Sequence, residues 1–220
     1  MTEKEKPMVT QNPKAVSPSP EKFPSAVSVW HVGMVLLVCV AFFAGCGGDG
    51  KLSGSDPQLE EALGKLESDS DTERLAGLTT LSGMGGKPKP HADKVAALLK
   101  DTSPEARSLA ALLLGIWGHS SPEVVQELSA MAAGDEDADA RAGALQTLSK
   151  LGANDEFAKV VKGILAGDDA DLKSETLMTI GESTSKESVT AVKAELEAIA
   201  GDSDKDLAAE AKIALEMIQE

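Results

Sequence analysis

The feature that most constrains this chain is a frame that recurs every 32 to 35 residues. Ser70, Ser103, Asp137, Asp169 and Asp204 mark its five starting points. Four residues after each come Arg74, Arg107, Arg141, Lys173 and Ala208, and seven after those come Leu81, Leu114, Leu148, Ile180 and Leu215. Ser and Asp are side chains that cap helix N-termini. In the clearest unit, Pro104 follows the cap at the first helical position and Gly118 stands where the helix should stop. A period of this length means stacked supersecondary units, none of which can bury its apolar stripe alone.

The units are helical. Aromatic residues make up 3% of the chain and Tyr is absent, whereas sheets favour aromatic and β-branched side chains and Ala and Leu favour helices. The frame predicts first helices near 57–67, 91–100, 122–133, 156–166 and 188–200. It predicts second helices near 71–83, 104–117, 138–151, 170–181 and 205–218. Ser70-Asp-Thr-Glu73 has the form of a capping box. Gln58, Glu60 and Glu61 at one end, and Glu216, Gln219 and Glu220 at the other, are suited to the polar ends such a stack requires.

Leu99, Asp101, Arg107, Ala110, Leu114 and Gly115 carry a further pattern: a helix ending in Leu-x-Asp, a turn, then Arg-x-x-Ala-x-x-x-Leu-Gly. It resembles HEAT-like repeats, of the kind first noted in phycobilisome lyase proteins, over about residues 56–220. Other units match less fully, with Ser82 and Ser149 in place of the Gly and Lys173 in place of the Arg. The resemblance implies an all-α, right-handed superhelical solenoid of about five two-helix repeats, with the second helices lining the concave face.

The chain has three arginines against 18 lysines, and all three arginines occupy one repeat position. A planar guanidinium makes forked hydrogen bonds that an ammonium cannot. Arg74, Arg107 and Arg141 are therefore expected to bind turn acids, or carbonyls of the next repeat, in a structural role. Asp101 and Asp135, six residues before Arg107 and Arg141, are the expected partners. Trp117 shares its repeat position with Met84 and Leu151 and is read as core.

The N-terminal stretch differs from the rest. Residues 1–25 are polar, with Lys4, Lys6, Lys14 and Lys22, and Val32 to Ala44 is an apolar run of 13 residues. That length suits a signal peptide better than a membrane span, which needs about 20 residues. Phe43-Ala44-Gly45-Cys46 resembles the bacterial lipobox, with Phe43 where Leu is usual. The resemblance implies a signal peptide over 1–45, cleavage before Cys46, lipid on Cys46, a flexible linker over 46–55 and the repeat domain over 56–220. The alternative is an uncleaved anchor helix from about Ala26 to Ala44, with Trp30 and His31 near one interface. Either reading tethers the body to a membrane, which places it at a bacterial cell envelope.

Charge and composition exclude several functions. The net charge is −15, and beyond residue 45 there are 17 basic against 33 acidic residues. That field repels phosphate backbones, and there is no basic stripe, so no nucleic-acid partner is expected. The body has no Cys; its only histidines, His91 and His119, lie in loops without metal-ligand spacing. The acidic turns beginning at Asp135 and Asp202 lack the Gly and Glu of a calcium loop, having Ala140 and Gln146, and Leu207 and Ile213, at those places. They read as helix caps. No catalytic residue, metal or cofactor is expected. The function read from the sequence is a non-catalytic interaction scaffold for a protein or peptide partner. A structural spacer, or an enzyme like the bilin lyases, is the alternative. Expected contacts on the concave face are Glu73, Thr80, Glu105, Ser108, Gln146, Lys150, Ser174 and Met178.

Overall fold

A computed structural model describes residues 56–218. The expected lipobox residues Phe43, Ala44 and Gly45, the lipidation site Cys46, the linker and the alternative anchor helix lie outside the described residues, as do Gln219 and Glu220. No described helix is long and apolar enough to cross a membrane.

Among the described residues the fold is all helical. The α-helices are α1 (Pro57–Lys65), α2 (Asp71–Gly83), α3 (Ala92–Ala96), α4 (Pro104–Trp117), α5 (Pro122–Gly134) and α6 (Ala138–Lys150). They continue with α7 (Asn154–Leu165), α8 (Ala170–Ser183), α9 (Lys186–Ala191), α10 (Lys193–Ala200) and α11 (Lys205–Glu216). Each first helix packs on its own second helix, and each second helix packs on the next, in the order α2, α4, α6, α8, α11. This neighbour-to-neighbour order is that of a helical solenoid of five repeats.

Local chemistry places the second helices. Ser103, Asp137, Asp169 and Asp204 each accept a hydrogen bond at the helix start, from the N–H of Ala106, Ala140, Leu172 and Leu207 respectively. Ser70 departs from this expectation, since its side chain makes no cap bond. The capping box with Glu73 does not form, because the Ser70 N–H donates to Ser68 Oγ at 3.2 Å instead. At the other end of α4, Gly118 takes φ of 64°, and the His119 N–H reaches back to the Leu114 carbonyl. Gly adopts that left-handed turn without a Cβ penalty.

Two first helices differ from their predicted form. Residues 91–100 do not form one α-helix: α3 is flanked by 3-10 turns at Lys89–His91 and Ala97–Lys100. Pro88 and Pro90 have no N–H to donate before α3, which leaves only a short turn there. The fifth first helix begins at a cap the sequence reading missed, Ser185, whose Oγ accepts from the Ser188 N–H. It then breaks at Val192, with φ of −119°, after a run rich in β-branched residues that hold a helix weakly.

The core is one continuous cluster running through the stack. Leu78, Leu81, Leu114, Leu148, Leu177 and Ile180 on the second helices, and Leu128, Phe157 and Leu196 on the first, have essentially no exposed surface. Each such side chain contributes roughly 1.5–3 kcal/mol on burial. Trp117 is buried and donates its indole N–H to the Gly85 carbonyl at 2.9 Å, which ties α4 to the loop after α2.

Candidate functional site

Two sets of residues stand out in the sequence: the repeated arginines and the exposed positions of the second helices. The arginines form a ladder along the stack. Arg107 donates from Nε and Nη2 to the two carboxylate oxygens of Asp135, at 2.7 and 2.6 Å, and from Nη1 to the Asp101 carbonyl at 2.8 Å. Arg74 makes the same fork to Asp101, at 2.5 and 2.7 Å, and its Nη1 reaches the Ser68 carbonyl. Each arginine therefore grips the turn before its own helix by the backbone and the turn of the next repeat by the side chain.

The partner assignment differs from the expected one. Asp101 and Asp135 do lie six residues before Arg107 and Arg141, but these arginines take only their carbonyls; the carboxylates serve Arg74 and Arg107 of the preceding repeats. Each carboxylate also accepts the N–H of its own cap residue, Ser103 or Asp137. The Asp202 carboxylate accepts the Asp204 N–H in the same way. Asp101 and Asp135, each two residues before a cap, thus hold their own helix start and the preceding repeat together. The Arg74 fork holds the Asp101 carboxyl well below the usual carboxylate range against the opposing effect of burial. Burial pushes the Asp135 carboxyl up, but the Arg107 fork and the Asp137 N–H outweigh it and leave it below that range.

The ladder changes at the fourth repeat. Gly167 stands where Asp101, Asp135 and Asp202 stand, so there is no carboxylate for Arg141 to fork. Arg141 turns instead to Glu175 on α8, reaching Oε1 from Nε at 3.0 Å and Oε2 from Nη2. Beside this switch lies a small cavity of about 220 Å³ lined by Asp135, Arg141, Asp169 and Glu175 among others. On the first-helix side of the same junction, a shallow groove runs between α5 and α7, lined by Val125, Val160, Ile164 and Leu172 among others.

The second-helix face carries the other set. Counted from each cap, the positions two, five, nine and thirteen residues on lie on the side of the helix away from the core. Glu105, Ser108, Gln146, Lys150, Ser174 and Met178 sit on this stripe and are at least partly exposed. Glu73 is exposed and Thr80 partly so, but neither is on the stripe. They lie one residue off it, a turn of about 100°, at the positions that are buried in Ala106 and Ala140, and in Leu113 and Thr147. Thr80 is half-buried and donates to the Ala76 carbonyl. Ser174 donates to Glu210 at 2.8 Å, which links α8 to α11.

The sequence reading missed the most telling members of the stripe. Leu112, Ile116, Met178 and Ile213 are 41%, 51%, 51% and 56% exposed, and of these only Met178 was expected there. Leu112, Met178 and Ile213 share one repeat position, nine residues after the cap. Aligning the units on their caps is the signal that finds them; apolar content alone suggests core.

His91 ends a 3-10 turn, and His119 Nε2, itself buried, lies 3.1 Å from Oδ1 of the exposed Asp93. Among the described residues no group of three or more His, Cys, Asp or Glu is placed to hold a metal ion.

The family model for HEAT repeats matches residues 92–181. That segment contains α3 to α7 whole, and with them the Arg107–Asp135 fork and the Arg141–Glu175 pair. No curated protein matches the chain. Among solved structures, an engineered protein is 16% identical over 73% of this chain and 79% of its own, with a TM-score of 0.43. A designed armadillo repeat protein in complex with the peptide (KR)4 is 14% identical over 73% and 81%, with a TM-score of 0.42. The complex of CpcE and CpcF of phycocyanin lyase from Nostoc sp. is 13% identical over 79% and 100%, with a TM-score of 0.24.

Proposed function

We propose that this chain is a non-catalytic docking scaffold, held at a bacterial membrane through lipid on Cys46, that binds a protein partner on its second-helix face. The observation that carries the docking reading is the exposure of Leu112, Ile116, Met178 and Ile213 on three of the five second helices, α4, α8 and α11. Single exposed apolar residues need no explanation, but apolar side chains aligned at one repeat position on a rigid face are what a partner surface offers. Helical stacks present extended surfaces of this kind. The anchor reading is supported by the 13-residue apolar run ending in Ala44-Gly45-Cys46.

A photo-crosslinking residue placed at Met178, and separately at Gln126 on the first-helix side, tests the docking reading in bacterial membranes. A discrete adduct from position 178 and none from position 126 is the expected result. Adducts from position 126 alone would overturn it. Intact mass of the membrane-purified protein tests the anchor. A species beginning at diacylglyceryl-modified Cys46 is expected, and a full-length unlipidated chain removes the lipid from the proposal.

A further inference from the structure

The second-helix face is not uniformly apolar. Two residues after each cap stand Glu105, Asp139, Asp171 and Asp206, all exposed, in four consecutive repeats. Seven residues further along the same helices stand Leu112, Gln146, Met178 and Ile213. Seven residues rotate a helix by nearly two full turns and advance it by about 10.5 Å, so both sets lie on one face as two parallel rows. One row is acidic and the other largely apolar, and both cross the stack from the second repeat to the fifth. The first repeat has Thr72 and Thr79 at the two positions and belongs to neither row.

We propose that these rows seat a basic amphipathic helix of a partner protein, laid across repeats two to five. The inference rests on the docking reading above and names its occupant. The dimensions fit. A helix with its side chains is about 10–12 Å wide, which matches the distance between the rows, so one edge of it lies over the acids while the other covers the apolar side chains. Neighbouring helices pack about 8–10 Å apart. Three such steps span about 27 Å, the length of roughly 18 helical residues. Charge selects the sign. The four acids face outward with Lys150 as the stripe's one cation, in a chain of net charge −15. Lys or Arg is therefore favoured on that edge of the occupant, and Asp or Glu is repelled. The same field disfavours an anionic lipid surface as the occupant.

The test uses the full-length chain in non-ionic detergent and three fluorescent 18-residue helices. One carries Lys on one edge and Leu on the other, the second has Glu for Lys, and the third has Ser for Leu. Empty micelles set the anisotropy baseline. The Lys/Leu helix is expected to bind the protein, and to weaken about tenfold as ionic strength rises from about 0.05 to about 0.5 M. Serine at Leu112, Met178 and Ile213 together is expected to weaken it at least tenfold at every salt concentration. Asn at Asp139, Asp171 and Asp206 is expected to flatten the salt dependence. Gln146→Leu, which completes the apolar row, is expected to tighten binding about threefold, and it keeps the test informative if the triple variants fold poorly. Equal binding of the Glu/Leu helix, or binding indifferent to both the serine variant and Gln146→Leu, overturns the proposal. If Met178 crosslinks a partner that presents an acidic or uncharged segment, the docking reading stands and this inference falls.

Discussion

Asp135 is held by two arginines at once: Arg107 takes its carboxylate and Arg141 takes its carbonyl. One residue therefore ties the second repeat to the third and anchors the start of α6. The carboxylate is 8% exposed and the Arg107 side chain 10%, so neither charge is well hydrated by itself.

Removing one partner leaves the other charge buried and unpaired. Arg107→Ala is expected to lower the unfolding free energy by about 3 kcal/mol. Arg107→Lys recovers only part of this, because an ammonium cannot fork both carboxylate oxygens and also reach the Asp101 carbonyl. Urea denaturation of the two variants measures both losses; Lys performing as well as Arg would show that the fork is dispensable.

The Asp101 and Asp135 carboxyls are held below the ordinary carboxylate range. A group whose folded pKa is depressed contributes stability that is full above its unfolded pKa and is lost as pH falls through the folded value. With unfolded Asp near 3.9, the denaturation midpoint is expected to stay level from about pH 5.5 to 7 and to fall below about pH 4. The Asp101→Asn and Asp135→Asn double variant is expected to start lower at neutral pH and to lose less on acidification.

Gly167→Asp supplies the missing rung. The new carboxylate stands where Asp101 and Asp135 stand and can take the Arg141 fork and the Asp169 N–H. A Cβ at this position meets only the Ile164 carbonyl, at 3.3 Å, and the Gly163 carbonyl at 3.8 Å, a contact that a small shift relieves. The expected gain is about 1 kcal/mol, or about 2–4 °C in Tm. A thermal melt reads it, and a lower Tm would mean that Glu175 is the better partner.

Gly77→Ala has the opposite outcome. Its Cβ would lie 2.8 Å from the Ala62 carbonyl and 3.0 Å from Leu66 Cδ2, so α1 and α2 would have to separate. The expected cost is about 1–3 kcal/mol. Calorimetry on this variant, with Gly64→Ala as a control where nothing lies within 4 Å, separates close packing from helix propensity.

Much of the fold was legible because its signals are local. Ser70, Ser103, Asp137, Asp169 and Asp204 announce helix starts in the sequence, and all but Ser70 carry the cap bond expected of them. Features that depend on neighbouring repeats were harder to read. That Asp101 serves Arg74 with its carboxylate and Arg107 with its carbonyl follows from stacking distance, which spacing along the chain does not contain. The transfer of Arg141 to Glu175 follows from a Gly at one turn, visible only when the turns are aligned. Glu73 and Thr80 fall one residue off the stripe, a turn of about 100°, although Glu73 is exposed as expected. Leu112 and Ile213 were passed over because an apolar residue in a helical repeat is ordinarily core.

Gly167 has a mechanical consequence. At that turn the carboxylate rung is absent, α6 packs less extensively against α8 than α4 packs against α6, and cavities flank the junction on both sides. Among pairs of consecutive second helices this is the loosest seam, while α5 and α7 stay packed on the other side. The stack can therefore flex at this point as on a hinge, opening its second-helix face, with Arg141 and Glu175 as the tie across the gap.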